Sequence, residues 1–108
     1  MKVLISPGYG AGFSTWEPVY NKMIATDKTL IEAFEKGISK EDFSELLESL
    51  GYMGVYLGGF EQLKVVTVPD NTYFQIREYD GAEYIETFDP EDKDWIYSGY
   101  EMDEGDEK

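Results

Sequence analysis

An α+β domain is predicted, with an N-terminal strand and about three helices followed by a mainly antiparallel β-sheet, because three observations agree. Apolar residues recur with helical spacing from Trp16 to Leu50. Beyond Gly51 the pattern turns to strand-like alternation. Asp80-Gly81 then stands between two alternating runs, a strong hairpin signal. Helices grouped before strands, with no internal repeat and no linker, favour α+β over repeated βαβ units. A chain of 108 residues suits a single domain, placed at 1–100, with an acidic tail at 101–108 that is expected to be disordered.

Val3-Leu4-Ile5 reads as a short buried strand ended by Pro7 and Gly8. The glycine-rich loop Gly8-Tyr9-Gly10-Ala11-Gly12 follows. Ser14 or Thr15 can cap a helix whose apolar face is Trp16, Val19, Tyr20, Met23 and Ile24, with Pro18 tolerated in its first turn. That stripe assigns Trp16 and Tyr20 to the core. A second helix starts after Thr26 and Asp27, carries Leu30, Ile31 and Phe34, and stops at Gly37. Ser39 caps a third, with Phe43, Leu46, Leu47 and Leu50 as its buried stripe and Gly51 as its stop.

Strands are expected at Tyr52–Leu57, Leu63–Val68, Tyr73–Tyr79 and Ala82–Phe88. Asp89-Pro90-Glu91-Asp92 breaks the sheet, and Trp95, Ile96, Tyr97 and Tyr100 suggest one further packed element. The two-residue turn sets the hairpin register, with Tyr79 opposite Ala82, Glu78 opposite Glu83 and Arg77 opposite Tyr84. Phe74, Ile76 and Ile85 then face the core.

The chain has no Cys and no His. Disulfides, Cys or His metal sites, Ser-His-Asp and Cys-His nucleophiles and imidazole pH switches are thereby excluded. Neither a metal nor a cofactor is expected. Net charge is −14, with 9 basic against 23 acidic residues. The asymmetry is steep: Met1–Arg77 holds 10 acids and 7 bases, whereas Glu78–Lys108 holds 13 acids and 2 bases. Such a field repels nucleic acid and anionic membranes and attracts basic protein surfaces. No segment approaches the roughly 20 apolar residues of a membrane span, and the first apolar run is too short for a signal-peptide core, so a cytoplasmic location is expected.

Three constellations invite a functional reading. The hairpin face bearing Tyr73, Gln75, Arg77, Tyr79, Tyr84 and Glu86 sets flat phenols around one arginine, a composition favoured at interfaces. Its bland counterpart is a solvated sheet face with ordinary cross-strand pairs. The loop Gly8, Tyr9, Gly10, Gly12, with Ser14 and Thr15, runs from a strand toward a helix start, where backbone N–H groups can cradle a phosphate. It matches neither common phosphate-binding glycine pattern, so a structural turn is the stronger reading. Glu78 opposite Glu83 offers a cation site or a shared-proton pair, against two carboxylates splaying into water. Asp89, Glu91, Asp92 and Asp94 lack the spacing of a calcium loop.

The opening Ile5-Ser6-Pro7-Gly8-Tyr9-Gly10-Ala11-Gly12-Phe13-Ser14-Thr15-Trp16 resembles the start of a group of small phage and prophage proteins. The likeness extends to Gly58-Gly59, Leu63-Lys64-Val65-Val66 and Phe74-Gln75-Ile76-Arg77-Glu78-Tyr79-Asp80-Gly81-Ala82-Glu83. It carries no catalytic residue. What it implies is a setting, the bacterial cytoplasm, among accessory genes that often encode host-takeover or anti-defence factors.

Together these readings point to a non-enzymatic protein that binds a basic host protein, such as a nuclease or DNA-binding factor. The hairpin face, with Asp92 and Asp94 beyond it, would make the contact. The alternative is a protein that sequesters a nucleotide or signalling phosphate in the Gly8–Gly12 loop. Self-association stays open.

Overall fold

The computed structural model describes residues 1–88 and 96–97. Asp92, Asp94 and the acidic tail lie outside the described residues. β1 (Lys2–Ile5) leads through the glycine loop and a 3₁₀ turn (Ser14–Trp16) to α1 (Asn21–Thr26), α2 (Lys28–Glu35) and α3 (Lys40–Ser49). A second 3₁₀ turn (Phe60–Gln62) precedes β2 (Lys64–Thr67), β3 (Tyr73–Tyr79), β4 (Ala82–Phe88) and β5 (Ile96–Tyr97). The strands form two antiparallel sheets, β1-β2 and β4-β3-β5. The α+β order is therefore as predicted. Among the described residues no helix is long and apolar enough to cross a membrane.

β1 is the shared wall of the molecule. Its side chains alternate between two apolar clusters, which explains why three successive residues are all buried. Leu4 joins Phe13, Ile24, Leu30, Phe43 and Leu47 beneath the helices. Val3 and Ile5 join Val68, Phe74 and Ile96 against the three-stranded sheet. Fully burying a side chain the size of Phe43 or Phe74 contributes about 1.5–3 kcal/mol, so each cluster is a substantial core.

The helix boundaries follow local chemistry. The Asp27 carboxylate accepts from the Leu30 amide at 3.1 Å, and the Ser39 hydroxyl from the Asp42 amide at 3.1 Å, as the caps predicted. Gly37 and Gly51 end α2 and α3 with φ of 89° and 93°, a left-handed conformation that glycine adopts without steric cost.

Two expectations are corrected. The helix expected through Trp16, Val19 and Met23 does not run unbroken. Pro18 disfavours the helical conformation in the residue before it, and Glu17 is extended, with φ −96° and ψ 112°. The chain therefore leaves the 3₁₀ turn and restarts as α1 at Asn21. Ile24 remains buried and Tyr20 packs on the core, but Val19 and Met23 face outward, and Trp16 is 42% exposed, stacked on Tyr56. Nor is Tyr52–Leu57 a strand. The Tyr52 amide instead bonds the Leu47 carbonyl to finish α3, and Gly54, at φ 73°, turns the chain.

Candidate functional site

The β3–β4 hairpin is the element that positions most of the candidate residues. Asp80 and Gly81 both have positive φ, 53° and 87°, the two-residue turn whose twist matches the flanking strands. The resulting register pairs Tyr79 with Ala82, Glu78 with Glu83, Arg77 with Tyr84 and Gln75 with Glu86, as the sequence predicts. Tyr73, Gln75, Arg77, Tyr79, Tyr84 and Glu86 consequently share the face turned away from the core. Tyr79 is 72% and Tyr84 48% exposed, while Tyr73, Gln75 and Glu86 are half-buried.

Arg77 has two partners on this face. Its Nη1 donates to Gln75 Oε1 at 3.0 Å, and its Nε lies 3.0 Å from Glu86 Oε1. That carboxylate oxygen is buried and, among the described residues, has no aligned hydrogen-bond donor, so Arg77 answers it as an ion pair. The partly neutralised guanidinium thus shares this face with the exposed phenols of Tyr79 and Tyr84.

The opposite face carries a different chemistry. Glu83 lies on the core side with Ile76 and Ile85 and is only 2% exposed. Its Oε1 accepts from the Ser6 amide at 2.8 Å. Its Oε2 accepts from the Phe13 amide at 2.6 Å and from the amide and hydroxyl of Thr15 at 2.9 and 2.7 Å. Four donors from one loop meet the formal charge of this buried carboxylate, the condition under which burial is tolerated. Glu78 does not face it as a working pair. The Glu78 side chain is exposed, and its Oε1 accepts from the Gly81 amide at 2.8 Å.

This arrangement explains the glycine loop. Gly10 donates its amide to the Asp80 carbonyl at 2.9 Å, and Glu83 donates its amide to the Ser6 carbonyl at 2.9 Å. The Ser6 hydroxyl donates to the Ala11 carbonyl at 2.8 Å. Three glycines permit the close approach. A Cβ on Gly8 would overlap the Gln62 side chain. One on Gly59 would sit 2.7 Å from Ser6 Oγ, and one on Gly81 would sit 2.5 Å from the Ala11 amide nitrogen. Tyr9 points outward and Gly12 lies under Trp16. The residues that flank the glycines, Ser6, Phe13 and Thr15, hold the Glu83 carboxylate, and the Gly10 amide is taken by the Asp80 carbonyl.

Residues from both candidate sets meet in a cavity of about 500 Å³. Ser14, Thr15, Glu17 and Lys22 line it from one side, and Gln75, Arg77 and Glu78 from the other. Glu17 was not singled out from sequence, yet it is nearly buried, and its Oε2 accepts from the Val19 and Tyr20 amides at 2.8 and 3.1 Å. Its signal lay in Pro18, which frees the following amides from helical bonding. The signal for Glu83 was the register itself, since strand alternation sets it on the apolar face with Ile76 and Ile85, where a carboxylate requires donors.

Comparison with known proteins finds no family model, no curated protein and no solved structure that matches this chain.

Proposed function

We propose that this chain works without enzymatic chemistry, by stoichiometric binding to a basic protein through the outward face of the β3–β4 hairpin. The observation that carries this reading is the pair of exposed phenols, Tyr79 and Tyr84, on one face with an arginine that pairs with Gln75 and Glu86. Rigid aromatic groups beside a paired arginine provide contact area at little cost in side-chain entropy. The strongly acidic last third supplies charge complementarity, which steers encounter and disfavours nucleic acid and other acidic partners. The resemblance to small phage proteins supports a setting in which the partner is a host nuclease or DNA-binding defence factor.

The loop-borne phosphate alternative has less support, because the Thr15 amide and hydroxyl already serve Glu83 and the Gly10 amide serves the Asp80 carbonyl. The experiment is affinity capture from a bacterial lysate at low and high salt, with mass spectrometry of retained proteins and small molecules. A basic protein held at low salt and released at high salt is expected. A retained nucleotide with no protein partner would sink the proposal.

A further inference from the structure

The glycine loop and the hairpin turn meet at one end of the molecule. The Gly10 amide donates to the Asp80 carbonyl at 2.9 Å, and a Cβ on Gly81 would press on the main chain of Gly10 and Ala11. The loop lies on the core side of the hairpin, where it reaches Glu83, whereas Tyr79 and Tyr84 lie on the outward side. Tyr9 and Tyr79 each precede one partner of the Gly10–Asp80 hydrogen bond. Covalent geometry therefore keeps their Cα atoms within about 12 Å of each other. Tyr9 is 71% and Tyr79 72% exposed, and among the described residues these are the two most exposed large apolar side chains. Asp80, at the turn between them, is exposed as well.

The chemistry of this tip selects what it meets. Neither contributing segment carries a cation, since there is no Lys or Arg from Val3 to Asn21 or from Glu78 to Phe88. Phenol rings beside an exposed carboxylate attract a cation. A guanidinium suits them best, because it stacks flat on an aromatic face and pairs with a carboxylate through its edge. A phosphate is repelled by Asp80. A second copy of this chain is a poor occupant, since both molecules carry a net charge of −14.

We propose that Tyr9, supplied by the glycine loop, is a partner-contact residue, and that Tyr9, Tyr79 and Asp80 together receive arginine side chains of the basic partner. This inference rests on the reading of the chain as a binder of basic proteins. It extends the contact surface from the outward face around the turn and names the side chain that is recognised there.

The test titrates the full chain, labelled with ¹⁵N, with a capped peptide of six arginines and with a capped peptide of six lysines. The arginine peptide is expected to bind more tightly and to shift the amide resonances of Tyr9, Gly10, Tyr79 and Asp80. Tyr9→Ala is expected to weaken its binding about two- to fivefold, the range of an exposed cation–ring contact. Tyr9→Phe, which keeps the ring, should bind like the parent. Tyr56→Ala, which removes an exposed phenol from another part of the surface, should also leave binding unchanged. Unmoved resonances of Phe43 and Phe74 in the Tyr9 variants show that the fold is intact. Parent-like binding by Tyr9→Ala, equal affinity for the two peptides, or shifts confined to residues 101–108 overturns the proposal. If Tyr79→Ala and Tyr84→Ala abolish capture of a basic protein while the arginine peptide leaves Tyr9 undisturbed, the role of Tyr9 alone falls. If the peptide docks at the tip but no basic protein is captured, the tip stands and the broader function falls.

Discussion

Glu83 and Thr15, 68 residues apart in sequence, are joined twice: Glu83 Oε2 accepts from the Thr15 amide at 2.9 Å and from its hydroxyl at 2.7 Å. With the Ser6 and Phe13 amides these bonds fasten the N-terminal loop beneath the C-terminal hairpin. They unite segments that helical and strand periodicity alone would leave independent.

Removing that acceptor leaves the buried Ser6 and Phe13 amides and the half-buried Thr15 amide and hydroxyl unpaired, so Glu83→Ala is expected to destabilise the fold by about 3 kcal/mol. Glu83→Gln keeps one amide oxygen but turns an NH₂ toward donors, and should cost somewhat less. Urea unfolding midpoints check both. Parent-like stability in Glu83→Ala would mean that the cradle is not formed in solution.

Glycine substitutions should separate backbone conformation from close packing. Gly37 has φ 89° with open space around it, so Gly37→Ala should cost only about 1 kcal/mol. Gly81 has a similar φ of 87°, but its Cβ would press on the main chain of Gly10 and Ala11. Gly81→Ala should therefore cost clearly more, about 2–3 kcal/mol. Thermal unfolding of the two variants side by side tests the difference.

Stability should fall at alkaline pH through Tyr52. Burial and the 2.8 Å hydrogen bond from its hydroxyl to Asp27 push its pKa from 10.0 up to about 12. Above pH 10 the unfolded chain loses this proton while the folded chain keeps it. The contribution of Tyr52 is therefore complete below pH 10 and is lost as pH rises toward 12. Tyr52→Phe should flatten the decline between those values, as seen in denaturant titrations, and should remove a late-titrating phenol from the ultraviolet absorbance.

On the outward face, Tyr79→Ala and Tyr84→Ala are expected to change stability by no more than about 0.5 kcal/mol, because both side chains are largely exposed. The same substitutions should weaken partner binding about tenfold each. Charge reversal at Glu86, Asp92 or Asp94 should also weaken it, chiefly at low salt. Lys36, on the helical half, serves as the control that changes nothing. Calorimetric titration with the captured partner measures all of these.

The strands, the helix caps and the hairpin were legible because their causes are local. Asp27 and Ser39 cap amides three residues ahead, Gly37 and Gly51 supply positive φ at helix ends, and Asp80-Gly81 sets a register that places every β3 residue opposite its β4 partner. From that register the sequence by itself determined the outward set of Tyr79, Arg77 and Tyr84. Tertiary structure decided the rest. Pro18 was tolerable in a first helical turn, but the extended backbone at Glu17 before it broke the expected helix, and Val19 and Met23 are exposed. The fate of the glycine loop was likewise not local. Amides beside a glycine turn suit a bound phosphate or an internal carboxylate alike, and it is the approach of Glu83 across the fold that gives the Phe13 and Thr15 amides a carboxylate to bind. A contact between distant segments is set by the three-dimensional path of the chain between them, and no spacing of residues along the sequence encodes that path directly.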